Sequence, residues 1–381
     1  MINLAKKDIQ HTFGTFIVTA MGVGMLLGIV LIMMGVYRGM IVDAKVLLDD
    51  LKVDLWVVQE GTLGPFAESS RVHQDLKESV YAIEGVSKTA GLTFQNLQLY
   101  TSKKPVRVMA VGFNPFDAFN PISPNRLVAG RGLMRDHYEL VVSDNIGLKL
   151  GEDIPIGRHI YHIVGVTHGT VSSGGDPLVY MSLKDAQELQ FSYSNERIRN
   201  DRARGINTTV SLMVNCVVAN IRSGYSVEEV AENIRKSKHK SVYTQEEQND
   251  ILTKNLIERA SKQIGLFTAI LIIVSTIIIA LIIYTMTLEK MKEISIMKLI
   301  GIPNMMIMKM IVQETVLLGV LAFISGNIFS HIIYSKFPKR VVLEPSDALL
   351  LFVVILFASV LSSIVGIKKV IHADPAAAIG G

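Results

Sequence analysis

Four long apolar stretches, unevenly spaced, constrain this chain more than any other feature. The first runs from about Thr15 to Val36, and the others from about Ile264 to Leu288, Met305 to Tyr334 and Ala348 to Ile367. Each holds about 20 or more mostly apolar residues, enough to cross a hydrocarbon core of roughly 30 Å at about 1.5 Å per residue. Lipid offers the backbone no hydrogen-bond partner, so such segments must be helices. Hydrophobic residues make up 49% of the 381-residue chain, and the mean hydropathy of +0.38 is high for a water-soluble protein. The insertion between the first and second stretches, by contrast, reads as an ordinary water-soluble domain. The one-plus-three layout puts that domain on one side of a membrane, and only one short loop and the two termini on the other.

Charge sets the orientation. Lys6 and Lys7 precede the first span, Lys290, Lys292 and Lys298 lie between the second and third, and Lys368 and Lys369 follow the fourth. With four spans these three places share one side, which the excess of Lys and Arg in cytoplasmic loops makes the inner one. Lys336, Lys339 and Arg340, in the loop between the last two spans, pull the other way. Three sites outvote one, so both termini are expected inside. The first apolar core exceeds the usual 7–15 residue core of a secretory signal, and no small-residue cleavage site follows, so it reads as an uncleaved anchor.

The expected organisation follows. Residues 1–13 form a cytoplasmic interfacial helix, with Ile2, Ala5, Ile9 and Phe13 at helical spacing between charges. Residues 14–52 are the first span plus a stalk, 53–244 an extracytoplasmic domain, and 245–288 a second stalk plus span. Residues 289–303 form an inner-surface helix, 304–334 the third span, 335–346 an outer loop, 347–368 the fourth span and 369–381 a cytoplasmic tail. The stalks are visible because apolar helical spacing outruns the membrane: Met40, Ala44, Leu47 and Leu51 extend the first span, and Leu252, Leu256 and Ala260 precede the second. A helix from about Glu246 to Leu288 would be roughly 65 Å long at about 1.5 Å per residue. In the first span, Gly24 and Gly28 form a small-xxx-small pair, as do Gly35 and Gly39, which lets another helix approach closely. Those pairs serve either packing within one subunit or a subunit interface.

The insertion has a mixed α/β pattern, and two α/β lobes on two stalks is the economical picture. Strands are predicted at Asp54–Gln59, Val86–Tyr100, Val106–Phe113, Glu139–Ser143, His159–Val166, Leu178–Met181 and Val210–Ile221. Helices are predicted at Val72–Ile83, Asp144–Leu148, Leu183–Leu189 and Val227–Ser237.

Several chemistries find no support. Neither a P-loop nor H-E-x-x-H, C-x-x-C or G-x-S-x-G occurs, so no ATPase, zinc-protease or serine-hydrolase signature is present. The single cysteine, Cys216, sits in an apolar run and reads as a small buried hydrophobe. His159 and His162, three apart on a probable strand, point to opposite faces and are not a metal pair. The loop Gly169–Asp176 reads as a flexible loop rather than a phosphate cradle, and the clustered methionines from Met305 to Met310 as packing. The net charge of +4 comes without any block of five like charges, so no nucleic-acid partner is expected.

The segment Glu289 to Pro303 carries the strongest functional signal. Ile294, Met297 and Ile300 recur at helical spacing among Glu289, Lys290, Lys292, Glu293 and Lys298, and Gly301 and Pro303 end the pattern. Such a helix lies on lipid or docks a soluble partner. The stretch resembles the E-x-x-x-E-I-x-I-x-[RK]-x-[LI]-G loop of the MacB/FtsX class of ABC transporter permeases. The tail Ala373-Asp374-Pro375-Ala-Ala-Ala-Ile379 is similar to the D-P-x-x-A-[LI] ending of that class. Gly130-Arg131-Gly132, Val141–Asp144, Ile163–Val166 and Val179–Leu183 resemble successive pieces of its periplasmic domain.

The resemblance implies a permease subunit in a bacterial inner membrane, without a fused nucleotide-binding domain, like the DevC-type, haem-exporter and LolC/LolE-type split permeases. It implies two copies of a separate ATP-binding subunit, which carries the ATP and Mg2+, leaving this chain no cofactor and no enzyme activity of its own. It further implies a second permease copy in a homodimer, and a periplasmic adaptor with an outer-membrane channel. Glu289, Lys290, Lys292, Glu293, Ile294, Ile296, Met297, Lys298 and Gly301 become the expected ATPase-coupling residues, and Asp374 and Pro375 a C-terminal motif. An FtsX-like signalling subunit, switching an extracytoplasmic hydrolase, is the alternative.

Overall fold

The computed structural model describes residues 13–101, 104–117, 119–190, 212–337 and 339–371. The chain divides into two compact units: residues 1–39 with 260–381, and residues 40–259.

Among the described residues, four helices are long and apolar enough to cross a membrane. Helix α1 runs unbroken over Phe13–Leu51. The second such helix is reached through α5 (Gln245–Leu252), a π-helical turn at Thr253–Ile257, and α6 (Glu258–Glu289), with no interruption between them. The short α7 (Met291–Leu299) then leads to α8 (Asn304–Ile333) and α9 (Pro345–Ile371). Phe16, Val23, Leu27 and Val30 of α1 join Ile279 and Ile283 of α6, Ile311 and Leu318 of α8, and Leu351 and Ile355 of α9 in one apolar cluster.

The second unit is built on one hydrogen-bonded path of strands, β12-β1-β11-β3-β4-β9-β6-β8-β5, with β7 paired to β8. The strands are β1 (Leu55–Val58), β3 (Val86–Tyr100), β4 (Pro105–Phe113), β5 (Leu127–Gly130) and β6 (Glu139–Ser143). They continue with β7 (Asp153–Ile156), β8 (His159–Thr167), β9 (Leu178–Ser182), β11 (Cys216–Ile221) and β12 (Ser241–Thr244). Helices α2 (Leu76–Tyr81), α3 (Leu183–Gln190) and α4 (Val227–Lys238) complete the unit, with a small hairpin of β2 (Val72–His73) and β10 (Met213–Val214). The long β3 pairs β11 through its first half and β4 through its second. A capping box starts α5: the Thr244 hydroxyl accepts from Glu247 N–H, and the Glu247 carboxylate accepts from Thr244 N–H.

Four expectations are corrected. The segment 72–83 is not one helix, because Val72 and His73 pair with β10 before α2 begins. The segment 144–148 is a single 3-10 turn over Asp144–Ile146, ended by Gly147 at φ +81°. The run 210–221 is not one strand where described: Asn215 interrupts it, its side-chain carbonyl accepting from Phe94 N–H and its amide donating to the Ser70 carbonyl. The loop 169–176 is ordered: Thr170 and Ser172 are each 1% exposed, and Ser172 N–H donates to the Asp176 carbonyl.

Cys216 is fully buried with a free thiol, and burial pushes that thiol's pKa up. Glu139, 4% exposed, accepts from the Arg131 guanidinium at 2.7 Å and from the N–H groups of Met134 and Arg135. Those donors hold its carboxyl at about 2, against an ordinary 4.5.

Candidate coupling site

Helix α7 is held on one side and bare on the other. Ile294 and Ser295 are each 1% exposed, and Ile294 lies in the apolar cluster with Ile283, Ile307 and Ile311. Met297 and Ile302 pack against the same cluster. Lys290 brings its ammonium to 3.5 Å from a Glu314 carboxylate oxygen on α8, and the two side chains are 10% and 8% exposed. Removing one member of a pair this dry is costly, because the other keeps its charge out of water.

The opposite face carries Glu289, Lys292, Glu293, Ile296, Leu299 and Ile300, all exposed, with steps of three or four residues from Glu289 to Lys292 or Glu293, then to Ile296, then to Leu299 or Ile300. Ile300 is 74% exposed, and Met305 and Met306 at the start of α8 continue the bare apolar surface. Of the predicted coupling residues, Lys290, Ile294 and Met297 therefore anchor the helix rather than face a partner, and Lys298 is half-buried. Glu289, Lys292, Glu293 and Ile296 are free to face one. Leu299 and Ile300 belong to the same bare side; helical spacing grouped Ile300 with Ile294 and Met297, but the helix ends at Leu299 and Ile300 is left exposed in the closing turn.

Gly301 ends α7 for a conformational reason. Its φ is +90°, its N–H donates to the Lys298 carbonyl, and Ile302 N–H donates to the Met297 carbonyl. This paired closure needs a left-handed residue just past the helix. Nothing lies within 4 Å of a Cβ built there, so the demand is backbone shape, not space.

The glycines of α1 are filled from within the chain. A Cβ on Gly24 would sit 2.6 Å from the Ala322 carbonyl oxygen, and one on Gly28 would sit 2.7 Å from the Phe329 ring. A Cβ on Gly35 would sit 2.6 Å from Val341 Cγ1, and one on Gly39 would run into the Arg340 carbonyl. These positions pack α1 against α8 and the 339–344 connection. These contacts fit the within-subunit alternative for the glycine pairs.

The same end of the unit is clamped by Arg38. Its guanidinium pairs with Asp347 through Nε, donates from Nη2 to the other Asp347 oxygen at 2.7 Å, and reaches Glu344 at 2.8 Å. Val342 N–H donates to the Gly35 carbonyl. Residues 1–12 of the expected interfacial helix, with Asp374 and Pro375, lie outside the described residues. Among the described residues, no three His, Cys, Asp or Glu side chains gather as a metal site. His159 lies 3.5 Å from Glu188 and His162 lies 2.7 Å from Asp153, on separate partners.

A unit of four long apolar helices, with an α/β domain inserted after the first and a half-bare helix between the second and third, defines a domain-bearing membrane protein. Residues 12–237 match the MacB-like periplasmic core domain, and residues 265–375 match the FtsX-like permease C-terminal region. The chain therefore belongs to the MacB/FtsX class of ABC transporter permeases. It is 24% identical over 381 residues to an uncharacterized ABC transporter permease of Mycobacterium tuberculosis (strain ATCC 25618 / H37Rv), covering 100% of both chains. It is 22% identical over 385 residues to a protein described as a hemin transport system permease, HrtB, of Staphylococcus haemolyticus (strain JCSC1435), covering 100% of this chain and 99% of that one. The periplasmic region of MacB from Actinobacillus actinomycetemcomitans aligns at TM-score 0.35 and 10% identity, over 52% of this chain and 92% of that one.

Proposed function

We propose that this chain is the force-transmitting permease subunit of an ABC transporter whose ATPase is a separate polypeptide. Two copies of the chain work with two ATP-binding subunits, which carry the ATP and Mg2+, in a bacterial plasma membrane. Both termini lie in the cytoplasm, as the Lys distribution favours, and the α/β domain lies outside. The observation that carries this reading is the division of α7: Ile294 and the Lys290–Glu314 pair fix it to the membrane helices, while Lys292, Glu293, Ile296, Leu299 and Ile300 stay bare. A helix anchored so firmly on one face transmits a push received on the other.

The covalent path supports the same reading. From α7 the chain runs back through α6, the π turn at Thr253–Ile257 and α5 directly into β12. π turns inside helices are frequent at functional sites. ATP-driven closure of the partner subunits biases the membrane helices between two states, and the domain follows. Moving such an equilibrium from 1:99 to 99:1 takes about 5.5 kcal/mol of differential binding. The domain acts as two lobes sharing β3, and hands substrate to a periplasmic adaptor for export. The test is co-expression with the candidate ATP-binding subunit, comparing Glu293→Lys and Gly301→Pro with the native chain. Loss of partner binding or of stimulated ATP hydrolysis is expected; full retention of both by each variant sinks the proposal.

A further inference from the structure

We infer that Gln245 is a positioning residue: its side-chain amide ties the ends of both stalks to the α/β domain, so that the three move together. The inference rests on the reading of the chain as a force-transmitting permease, and it names the residue through which force enters the domain.

A helix transmits displacement only where its end is gripped. The last four carbonyls of a helix have no partner inside it, and α1 ends at Leu51, so the Leu48 carbonyl is one of them. Gln245, the first residue of α5, reaches it: Gln245 Nε2 donates to the Leu48 carbonyl at 2.8 Å. The other atom of the same amide faces the domain. Gln245 Oε1 accepts from Trp56 Nε1 on β1 at 2.8 Å, and Trp56 and Leu48 are 0% and 1% exposed. An indole N–H only donates and a main-chain carbonyl only accepts, so the group between them must carry both an acceptor and a donor. Glutamine supplies both; an ionised glutamate lacks the donor, and methionine lacks the N–H and the carbonyl alike. In so dry a setting these bonds are costly to leave unmade.

The neighbouring backbone closes the same joint, all of it within residues 40–259. Gln245 N–H donates to the Asp54 carbonyl, Asp54 N–H donates to the Ala219 carbonyl, and Ile221 N–H donates to the Asp54 carboxylate at 2.7 Å. Just past α1, Lys52 turns at φ +47°, and its carbonyl accepts from the Asn220 side-chain amide at 2.9 Å. Strands β1 and β11 are thus laced to the end of α1 and the start of α5. Among these contacts, the Gln245 amide bridges α1 and β1 from α5. Gln248, one turn along α5, gives the contrast. It is 0% exposed, yet neither its amide nitrogen nor its carbonyl oxygen has a hydrogen-bond partner among the described residues. A buried glutamine on this helix is not by itself a joint; its partners make Gln245 one.

The test is amide hydrogen exchange, read by mass spectrometry, on the full chain assembled with the candidate ATP-binding subunit in nanodiscs, with and without ATP. In the native complex, ATP should change exchange in α7 and in β1 and β11 together. In Gln245→Met the α7 response should remain and the β1 and β11 response should be lost. Trp56→Phe, which removes the indole N–H and keeps a ring, serves if Gln245→Met does not fold, with the same loss expected. Gln248→Met should keep both responses. Trp56 is the chain's only tryptophan, so its emission in the isolated chain should shift in Gln245→Met and not in Gln248→Met. A native complex whose β1 and β11 stay silent while α7 responds, a response that survives both joint variants, or its equal loss in Gln248→Met would overturn the assignment. A native complex in which α7 itself never responds to ATP would remove the permease reading, and the joint with it.

Discussion

The α/β domain and the membrane unit dispose of their apolar surface in opposite ways. In the domain, three apolar clusters close on themselves, and even the buried Glu139 is met by Arg131 and two backbone donors. In the membrane unit, α1 spends its inward face on its own chain, while α6 leaves Leu266, Ile270, Ile273, Ile277 and Leu281 bare. Lipid covers such a face as well as protein does, so bare apolar residues along a span are not informative alone. The bare face of α7 differs, because it mixes Ile296, Leu299 and Ile300 with Lys292 and Glu293 beyond the end of a span. The lesson is that the domain gathers its apolar residues into clusters of its own, whereas the membrane unit leaves a mixed apolar and charged face on α7 uncovered by its own chain.

The contrast can be broken at its strongest point first. Glu314→Ala removes the carboxylate that the Lys290 ammonium faces in a dry setting and should cost about 3–5 kcal/mol, read as a large drop in the unfolding temperature of the purified chain in detergent. The double change Lys290→Met with Glu314→Leu should recover most of that loss; no recovery would mean the two groups do not act as a pair.

The domain's own buried charge predicts a pH limb. The folded Glu139 carboxyl, held at about 2 against 4.5, contributes stability that is fully present above pH 4.5 and lost as pH falls toward 2. The contribution is on the order of 3 kcal/mol. Urea unfolding of the full chain followed from pH 6 to pH 2 should show the decline, and Glu139→Gln should flatten it. An unchanged slope in that variant would remove Glu139 from the account.

The two membrane helices should then separate. Gly24→Leu forces a side chain into the Ala322 carbonyl and should cost about 1–3 kcal/mol or more. Leu281→Ala, at a position 60% exposed on α6, should stay within about 0.5 kcal/mol. Similar losses from both would erase the distinction between a filled face and an open one.

The sequence made some of this plain. Spans are legible because crossing a bilayer demands length and apolar content that little else imitates. Strands β3, β4, β6, β8 and β9 are legible because their apolar runs are bounded by turns. The four-residue β5, β7 and β12 escaped because each gains its identity only from a neighbour, as Ser241–Thr244 does from Val58–Leu55. The single strand path was equally hidden, since β4 beside β9 and β6 beside β8 are parallel pairs that no local pattern announces. Glycine spacing in α1 signalled a close approach without naming Ser325 and Gly326 as what approaches. The burial of Lys290 depended on Glu314, which sits on another helix.

The most direct test of the central claim is a cross-link. Ile300→Cys in a Cys216→Ala background places one thiol on the bare face of α7, and Leu281→Cys in the same background places it on α6. With the co-expressed ATP-binding subunit, a short thiol-to-amine reagent should join the 300 variant to that subunit in an ATP-dependent way and leave the 281 variant unjoined. A fully assembled complex in which the 300 site never cross-links would contradict the assignment of α7 as the point where force enters the membrane unit.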